Sequence, residues 1–197
     1  MRSLLQAGAR VQARLRARGW PFCFIGGVAN FRWGTPRLTN DLDLTVLTGF
    51  GGEGPVIAGL LEDFEPRISD AAEFATRHRV ALLRTPDGFA IDIALGAMPF
   101  EAATIERATD GELAEGAVLR TCSATDLVVH KAFAARPQDW ADIEGVLLRQ
   151  RGRLDWPQLW TDLTDLASLK GEPELLEELE RVARRVEAVI GPFERAR

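Results

Sequence analysis

A Gly-Gly pair followed by an Asp-Leu-Asp-Leu segment is the feature of this sequence that most constrains its fold. The pair is Gly26-Gly27, and the acidic segment spans residues 41–44. Alternate side chains of a β-strand lie on one face, so the pattern predicts that Asp41 and Asp43 project together while the leucines enter the core. Two carboxylates roughly 4 Å apart repel by about 4 kcal/mol at an effective protein dielectric. A divalent cation is the usual compensation for such a pair.

A third carboxylate stands in an equally strand-like setting, Ile91-Asp92-Ile93. We therefore expect three acids on strands beside a glycine turn. This combination is typical of a metal-dependent phosphoryl-transfer site.

The bulk properties of the chain narrow its class. Its 197 residues suffice for one well-buried core, or for a core with a helical appendage. The net charge of −5 argues against a general nucleic-acid coat, which needs a broad basic surface. No apolar run approaches the roughly 18 residues that span a bilayer. We expect no membrane association and a cytoplasmic protein.

The pattern of apolar and turn residues predicts a mixed α/β (α+β) fold, a small mixed sheet flanked by helices with a helical C-terminal region. Residues 1–122 are expected to form the core. Residues 123–197 are expected to form helices packed on that core. The predicted strands cover residues 21–25, 42–47, 80–84, 89–95 and 118–121, and the predicted C-terminal helices cover 124–135, 138–149, 156–169 and 173–190.

These motifs resemble a known family. Residues 26–27, 41–44 and 91–93 are similar, in order and spacing, to the signature of the polymerase-β-type nucleotidyltransferase superfamily. A second set resembles the abortive-infection (AbiE-type toxin) branch of that superfamily, many of whose members are toxins of toxin–antitoxin systems. That set comprises Asp126-Leu127-Val128-Val129-His130-Lys131, Arg136, Asp139 and Asp142.

The resemblance implies a nucleotidyltransferase-like fold and a catalytic centre that uses Mg²⁺ or Mn²⁺ with a nucleoside triphosphate such as ATP. Asp41 and Asp43 would hold the cation, and Asp92 would join the metal site or act as base toward the acceptor hydroxyl. Gly26 and Gly27 would let the backbone approach the triphosphate, where the following helix offers amide donors.

Further roles follow from the same resemblance. Lys131, one of only two lysines in the chain, would supply a positive charge for the phosphates. Arg37, just before the acidic strand, would do the same. Asp139 and Asp142 would orient these two basic side chains or the nucleotide.

The acceptor divides the hypotheses. The toxin branch implies an RNA, above all tRNA, and a partner antitoxin protein; Arg149, Arg151 and Arg153 would then form a docking patch. A small hydroxylated molecule of the aminoglycoside type or a protein side chain is the alternative. A non-catalytic nucleotide- or partner-binding module is a second alternative, disfavoured because a module that binds no metal has no need of three mutually repelling acids.

One further motif fits a different class of protein. Residues 49–54 match G-x-G-x-x-G between a predicted strand and a predicted helix, which is the dinucleotide-binding pattern. The preceding strand carries two acids that would repel a pyrophosphate, and the chain lacks the alternating βαβ units of that fold. We expect these glycines to form a mobile loop beside the site instead.

Overall fold

A computed structural model describes residues 1–193, and within them the chain forms a single sheet and a set of helices. The strands are β1 (Phe22–Phe24), β2 (Asp41–Leu47), β3 (Glu65–Pro66), β4 (Val80–Arg84), β5 (Ala90–Gly96), β6 (Thr109–Ala114) and β7 (Ala117–Thr121). The helices are α1 (Arg2–Ala17), α2 (Gly26–Trp33), α3 (Glu53–Asp63), α4 (Ala71–His78), α5 (Pro99–Arg107), α6 (Ala124–Ala134), α7 (Pro137–Gln150), α8 (Trp156–Lys170) and α9 (Glu174–Ile190).

The sheet has the strand order β3-β4-β5-β2-β1-β7-β6. It is mixed, because β2 runs parallel to β5 and β1 runs parallel to β7, while the other neighbours are antiparallel. The central strand β2 shows a strict inside-outside alternation at its start: Leu42 and Leu44 are fully buried, and Asp41 and Asp43 are half-buried.

Helix α1 covers the apolar face of this sheet. Gly8 of α1 leaves room for close packing, since a Cβ there would lie 3.3 Å from Leu119 and 3.5 Å from Leu42 and Phe24. Helix α5 contacts β1 and β2. Hydrophobic burial on this scale is the main favourable contribution to folding.

The chain divides by its internal contacts into two compact units. Unit 1 comprises Met1–Val28 and Leu38–Cys122 and contains the whole sheet. Unit 2 comprises Ala29–Arg37 and the chain from Ser123 onward, and contains α6 to α9. In these contacts residues 29–37 group with the C-terminal helices; the sequence-based division after residue 122 stays a prediction about domains.

Unit 2 begins with a well-defined helix cap. The hydroxyl of Ser123 accepts a hydrogen bond from the Asp126 backbone N–H at 3.0 Å and donates to the Asp126 carboxylate at 2.6 Å. Such a cap satisfies one of the N–H groups that a helix start leaves open. The cap fixes the start of α6 at Ala124, which agrees with the predicted start of this helix at residue 124.

The predicted fold class is confirmed: the chain has a mixed α/β architecture with C-terminal helices. Four elements were missed, namely β3, α4, α5 and β6. In the described part of the chain no helix combines the length and the apolar character that a bilayer crossing needs.

Candidate active site

Asp43 and Asp92 are direct partners across two parallel strands. In the register of β2 and β5, Asp43 pairs with Asp92, and Asp41 pairs with Ala90. Paired residues of neighbouring strands project from one face, so Asp41, Asp43 and Asp92 all lie on the half-buried face opposite the leucines. The structure thus brings together the three acids that the sequence pattern singled out.

The surroundings of Asp92 shift the pKa of its carboxyl group. Burial raises the pKa of the Asp92 carboxyl above its ordinary value, Arg67 lowers it, and the negative charge of Asp41 raises it again. A carboxylate that is partly desolvated beside another acid holds a proton more readily than one in water. These are the electrostatics expected where carboxylates await a positive partner.

The two glycines of the turn lie against the acidic strand. Gly26 has a φ of +54°, and a Cβ at this position would collide with the carboxylate of Asp43. The Gly27 N–H, at the start of α2, donates to Asp43 Oδ2 at 3.4 Å. The glycines therefore allow a carboxylate to approach the positive end of a helix.

Thr39 is a site residue that the sequence analysis missed. Its hydroxyl donates to Asp41 Oδ1 at 2.5 Å, and a Cβ at Gly27 would lie 2.5 Å from the same hydroxyl oxygen. Thr39 thus lies between the glycine turn and the first acid. Its position two residues before Asp41 was the available signal.

Arg67 is the second missed residue. Its Nη2 donates to Asp92 Oδ1 in an ion pair. Arg67 follows β3, a strand of only two exposed residues. No local pattern connects it with Asp92, which lies 25 residues further along the chain.

The residues present suit a hard divalent cation in part. Among residues 1–193, no group of three or more His, Cys, Asp or Glu side chains is arranged to hold a metal ion by itself. Mg²⁺, however, is usually bound through one or two carboxylates together with water and substrate phosphates. The half-buried pair Asp41 and Asp43 matches that donor set in chemistry, since both supply carboxylate oxygens.

Unit 2 holds a separate cluster of buried charges. Lys131 Nζ lies 2.6 Å from Asp142 Oδ2 and 3.2 Å from Asp139 Oδ1. Its side chain is only 5% exposed. The predicted group of Lys131, Asp139 and Asp142 is brought together, and the Lys131 charge is shared between the two carboxylates.

Two arginines complete this cluster. Arg37 donates to Asp142 through Nε and Nη2, both at 2.9 Å, and Arg136 Nε donates to Asp139 Oδ2 at 2.6 Å. Burial alone would raise the pKa of both Asp carboxyls. The hydrogen bonds from Arg136 and Lys131 to Asp139, and from Arg37 and Lys131 to Asp142, outweigh it and lower both pKa values.

A cavity of about 370 Å³ borders this cluster within unit 2. Its lining includes Arg37, Asp142, Gln138 and Glu144. Gln138 Nε2 donates to Asp142 Oδ1 at 3.1 Å. Three of these lining residues, Arg37, Gln138 and Asp142, are therefore already hydrogen-bonded to one another.

The basic segment of residues 149–153 is partly occupied. Arg149 Nη1 donates to the carbonyls of Gly34 at 2.7 Å and Phe31 at 3.2 Å. The Arg149 side chain thus provides hydrogen-bond donors for carbonyl groups at the C-terminal end of α2, which the helix itself leaves without partners. Arg153 Nε likewise donates to the Gln150 carbonyl at 3.2 Å, so Arg149 and Arg153, two of the three arginines expected to dock RNA, have structural partners.

The sequence predicts that the glycine loop of residues 49–54 lies beside the acids. In the structure it does not. It follows Leu47 at the far end of β2, four residues beyond Asp43, which corresponds to about 13 Å of strand. Arg79 fixes the loop there, donating to Thr48 Oγ1 at 3.0 Å and the Gly49 carbonyl at 3.1 Å. The prediction of a loop beside the site is wrong because the acids lie in the first half of β2, whereas the loop follows the end of this strand.

Comparison with solved structures gives the fold class a second footing. An antigenic nucleotidyltransferase-like protein from Paracoccidioides brasiliensis is similar with a TM-score of 0.54 and 16% identity, over 90% of this chain and 92% of that one. The solution structure of the antibiotic-resistance factor ANT(2'')-Ia is similar with a TM-score of 0.51 and 18% identity, over 91% of this chain and 97% of that one. No family model matches the sequence, and a search of curated proteins gives no match.

The chain therefore has a nucleotidyltransferase-like fold, in agreement with the superfamily resemblance of its motifs. At these identities the likeness concerns the fold alone.

Proposed function

We propose that this protein is a Mg²⁺- or Mn²⁺-dependent nucleotidyltransferase that moves a nucleoside monophosphate from a nucleoside triphosphate to an acceptor hydroxyl. One observation carries the proposal: Asp41, Asp43 and Asp92 occupy one face of two paired parallel strands, beside a glycine turn that opens a helix. The nucleotidyltransferase-like fold supports it.

The reaction makes and breaks one bond at phosphorus. The acceptor oxygen attacks the α-phosphorus, the bond to the bridging oxygen breaks, and pyrophosphate leaves with that electron pair. A bound divalent cation would polarise the phosphate oxygens. Asp41 and Asp43 would hold this cation, and Asp92 would either join them or accept the proton of the acceptor hydroxyl.

The remaining residues have supporting roles in the proposal. Thr39 orients Asp41 through its hydrogen bond, and the Gly27 N–H orients Asp43. The N–H groups at the start of α2 would also meet the triphosphate. Assignment of Lys131 and Arg37 to the phosphates, and of Asp139 and Asp142 to their orientation, stays a prediction from the sequence.

A small hydroxylated molecule is the acceptor that we favour. The net charge of −5 disfavours a polyanionic substrate, and a protein of similar fold is an antibiotic-resistance factor. Transfer to tRNA, with a toxin role and an antitoxin partner, is the second candidate and rests on the motif resemblance of residues 126–142.

A label-transfer assay tests the proposal and names the acceptor. Each α-labelled nucleoside triphosphate is offered with Mg²⁺ or Mn²⁺ to an aminoglycoside panel, to total tRNA and to a protein lysate. Label should enter one acceptor class with the native protein and not with the double variant Asp41→Asn/Asp43→Asn. No transfer to any class, together with no metal-dependent nucleotide binding by calorimetry, would favour the non-catalytic binding module.

A further inference from the structure

Four residues form a straight row across four strands. The Arg67 N–H donates to the Leu82 carbonyl at 3.0 Å, which extends the pairing of β3 with β4 by one residue. Leu82 pairs with Asp92, and Asp92 pairs with Asp43. Because paired residues project from one face, Arg67, Leu82, Asp92 and Asp43 lie side by side on the acidic face.

The side chain of Arg67 reaches along this row, past Leu82, to its ion pair with Asp92. The pair is half-sheltered: the Arg67 side chain is 26% exposed and that of Asp92 is 38% exposed. Arg67 Nε is buried and has no hydrogen-bond partner within residues 1–193. A guanidinium offers five N–H donors, so this cation has hydrogen-bonding capacity beyond its contact with Asp92.

The negative charges on this face favour a positive charge beside them, and two positive charges are candidates. Asp41, Asp43 and Asp92 lie together on one face, and the basic side chain of Arg67 is bonded to Asp92. A divalent cation at Asp41 and Asp43 would repel the Arg67 guanidinium and attract the Asp92 carboxylate. The two cations thus oppose each other at Asp92.

We propose that Arg67 is an internal counter-ion that competes with the divalent cation for Asp92 and, once displaced, binds an anionic phosphate oxygen of the nucleotide. The proposal rests on the proposed function, whose metal site it takes as given. It assigns opposite effects to one side chain: Arg67 weakens binding of the bare cation and strengthens binding of the nucleotide.

Binding measurements separate these two effects without any turnover. Binding of Mn²⁺ alone is measured by electron paramagnetic resonance for the native protein and for Arg67→Met, which keeps the length and apolar stem but removes the charge. We expect the variant to bind Mn²⁺ about two- to fivefold more tightly, the range that a partly exposed ion pair contributes to an equilibrium constant. With Mn²⁺ at saturation, we expect the same variant to bind a non-hydrolysable ATP analogue more weakly by calorimetry.

Matched variants show whether the effect belongs to the pair. Arg14→Met removes the same charge from an exposed position of α1, the helix that covers the opposite, apolar face of the sheet, and we expect it to leave Mn²⁺ affinity unchanged. In an Asp92→Asn background, Arg67→Met should no longer raise Mn²⁺ affinity, because a double-mutant cycle isolates the interaction of the two residues. Arg67→Gln serves in the same way if the Met variant does not fold.

The outcomes distinguish the inference from the function beneath it. Unchanged or weaker Mn²⁺ binding by Arg67→Met, or an equal gain in Arg14→Met, overturns the competition at Asp92. Unchanged affinity for the ATP analogue overturns the phosphate contact. If the native protein binds no Mn²⁺ with or without nucleotide, the proposed metal-dependent function fails first.

Discussion

Lys131 and Asp142 form a buried ion pair in which Nζ lies 2.6 Å from Oδ2, and neither side chain is more than 5% exposed. Removal of one partner from a buried pair leaves the other charge without compensation, which costs several kcal/mol. The stability of unit 2 therefore depends on the presence of both partners of this pair.

We expect Lys131→Met to lower the free energy of unfolding by about 3 kcal/mol, measured by urea denaturation. Lys170→Met is the matched control, since Lys170 is the other lysine of the chain and its ion pair with Glu172 is more exposed. The control should cost at most about 1 kcal/mol. Equal losses in both variants would contradict a special role for the buried cluster.

The same cluster predicts how stability depends on pH. The folded pKa values of Asp139 and Asp142 lie below the ordinary value. The unfolded chain consequently binds protons more readily at these groups, so acid favours unfolding. Their contribution is complete above about pH 5, roughly one unit above the unfolded pKa of about 3.9, and it is lost as the pH falls from there through the lowered folded values.

Urea denaturation between pH 7 and pH 3 measures this dependence. Asp142→Asn should flatten the loss of stability on the acid side, because one of the shifted carboxyls is gone. Asp92 acts in the opposite direction, since its raised pKa favours the folded state at low pH. An identical acid slope in the native protein and in Asp142→Asn would show that this carboxyl does not carry the effect.

Thermal unfolding with and without Mn²⁺ tests Asp43 as a metal ligand. A ligand that binds the folded state alone raises the melting temperature by mass action. Asp43→Asn should lose this rise yet stay within about 1 kcal/mol of the native stability without metal, since an amide oxygen can still accept from Gly27. Glu112→Gln, an exposed acid on β6 of the same sheet, should keep the full response.

Gly26 tests the contact between the turn and the acidic strand. In Gly26→Ala the new Cβ would meet the Asp43 carboxylate at a φ of +54°, so the variant should be less stable and should bind Mn²⁺ more weakly. We expect a loss of about 3 kcal/mol, of which about 1–2 kcal/mol is the backbone cost of a left-handed alanine. Gly19→Ala, at a φ of +70° with no atom within 4 Å of its Cβ, measures that backbone cost alone.

Strong local patterns made much of the fold predictable. The acidic strand, the hairpin formed by β4 and β5, and the four C-terminal helices carry period-2 or helical spacing and turn or cap residues. Of the missed elements, the strands β3 and β6 lack these signals, whereas α5 begins with Pro99 and carries Glu101 in its first turn. Strand β6 has no buried residue, and β3 has only two residues, both exposed.

The candidate site was predictable only where it is local in sequence. Asp41 and Asp43 were predictable from the alternation of acidic and apolar residues within one strand. Arg67 reaches Asp92 only because two successive strand pairings place it there, and pairing register between distant segments cannot be read from a single segment. The partners of Lys131 were visible as helix-spaced acids, but their burial depends on how the helices of unit 2 pack.

The row that joins Arg67, Leu82, Asp92 and Asp43 depends on the number of residues in each strand more than on the identity of the residues between them. One residue inserted into β5 ahead of Asp92 would slip the pairing and turn that carboxylate toward the apolar face, although every motif would survive in the sequence. Among natural variants or designed libraries, strand lengths should therefore tolerate less change than the letters within the loops. A single-codon deletion scan across residues 80–96 would map that tolerance directly.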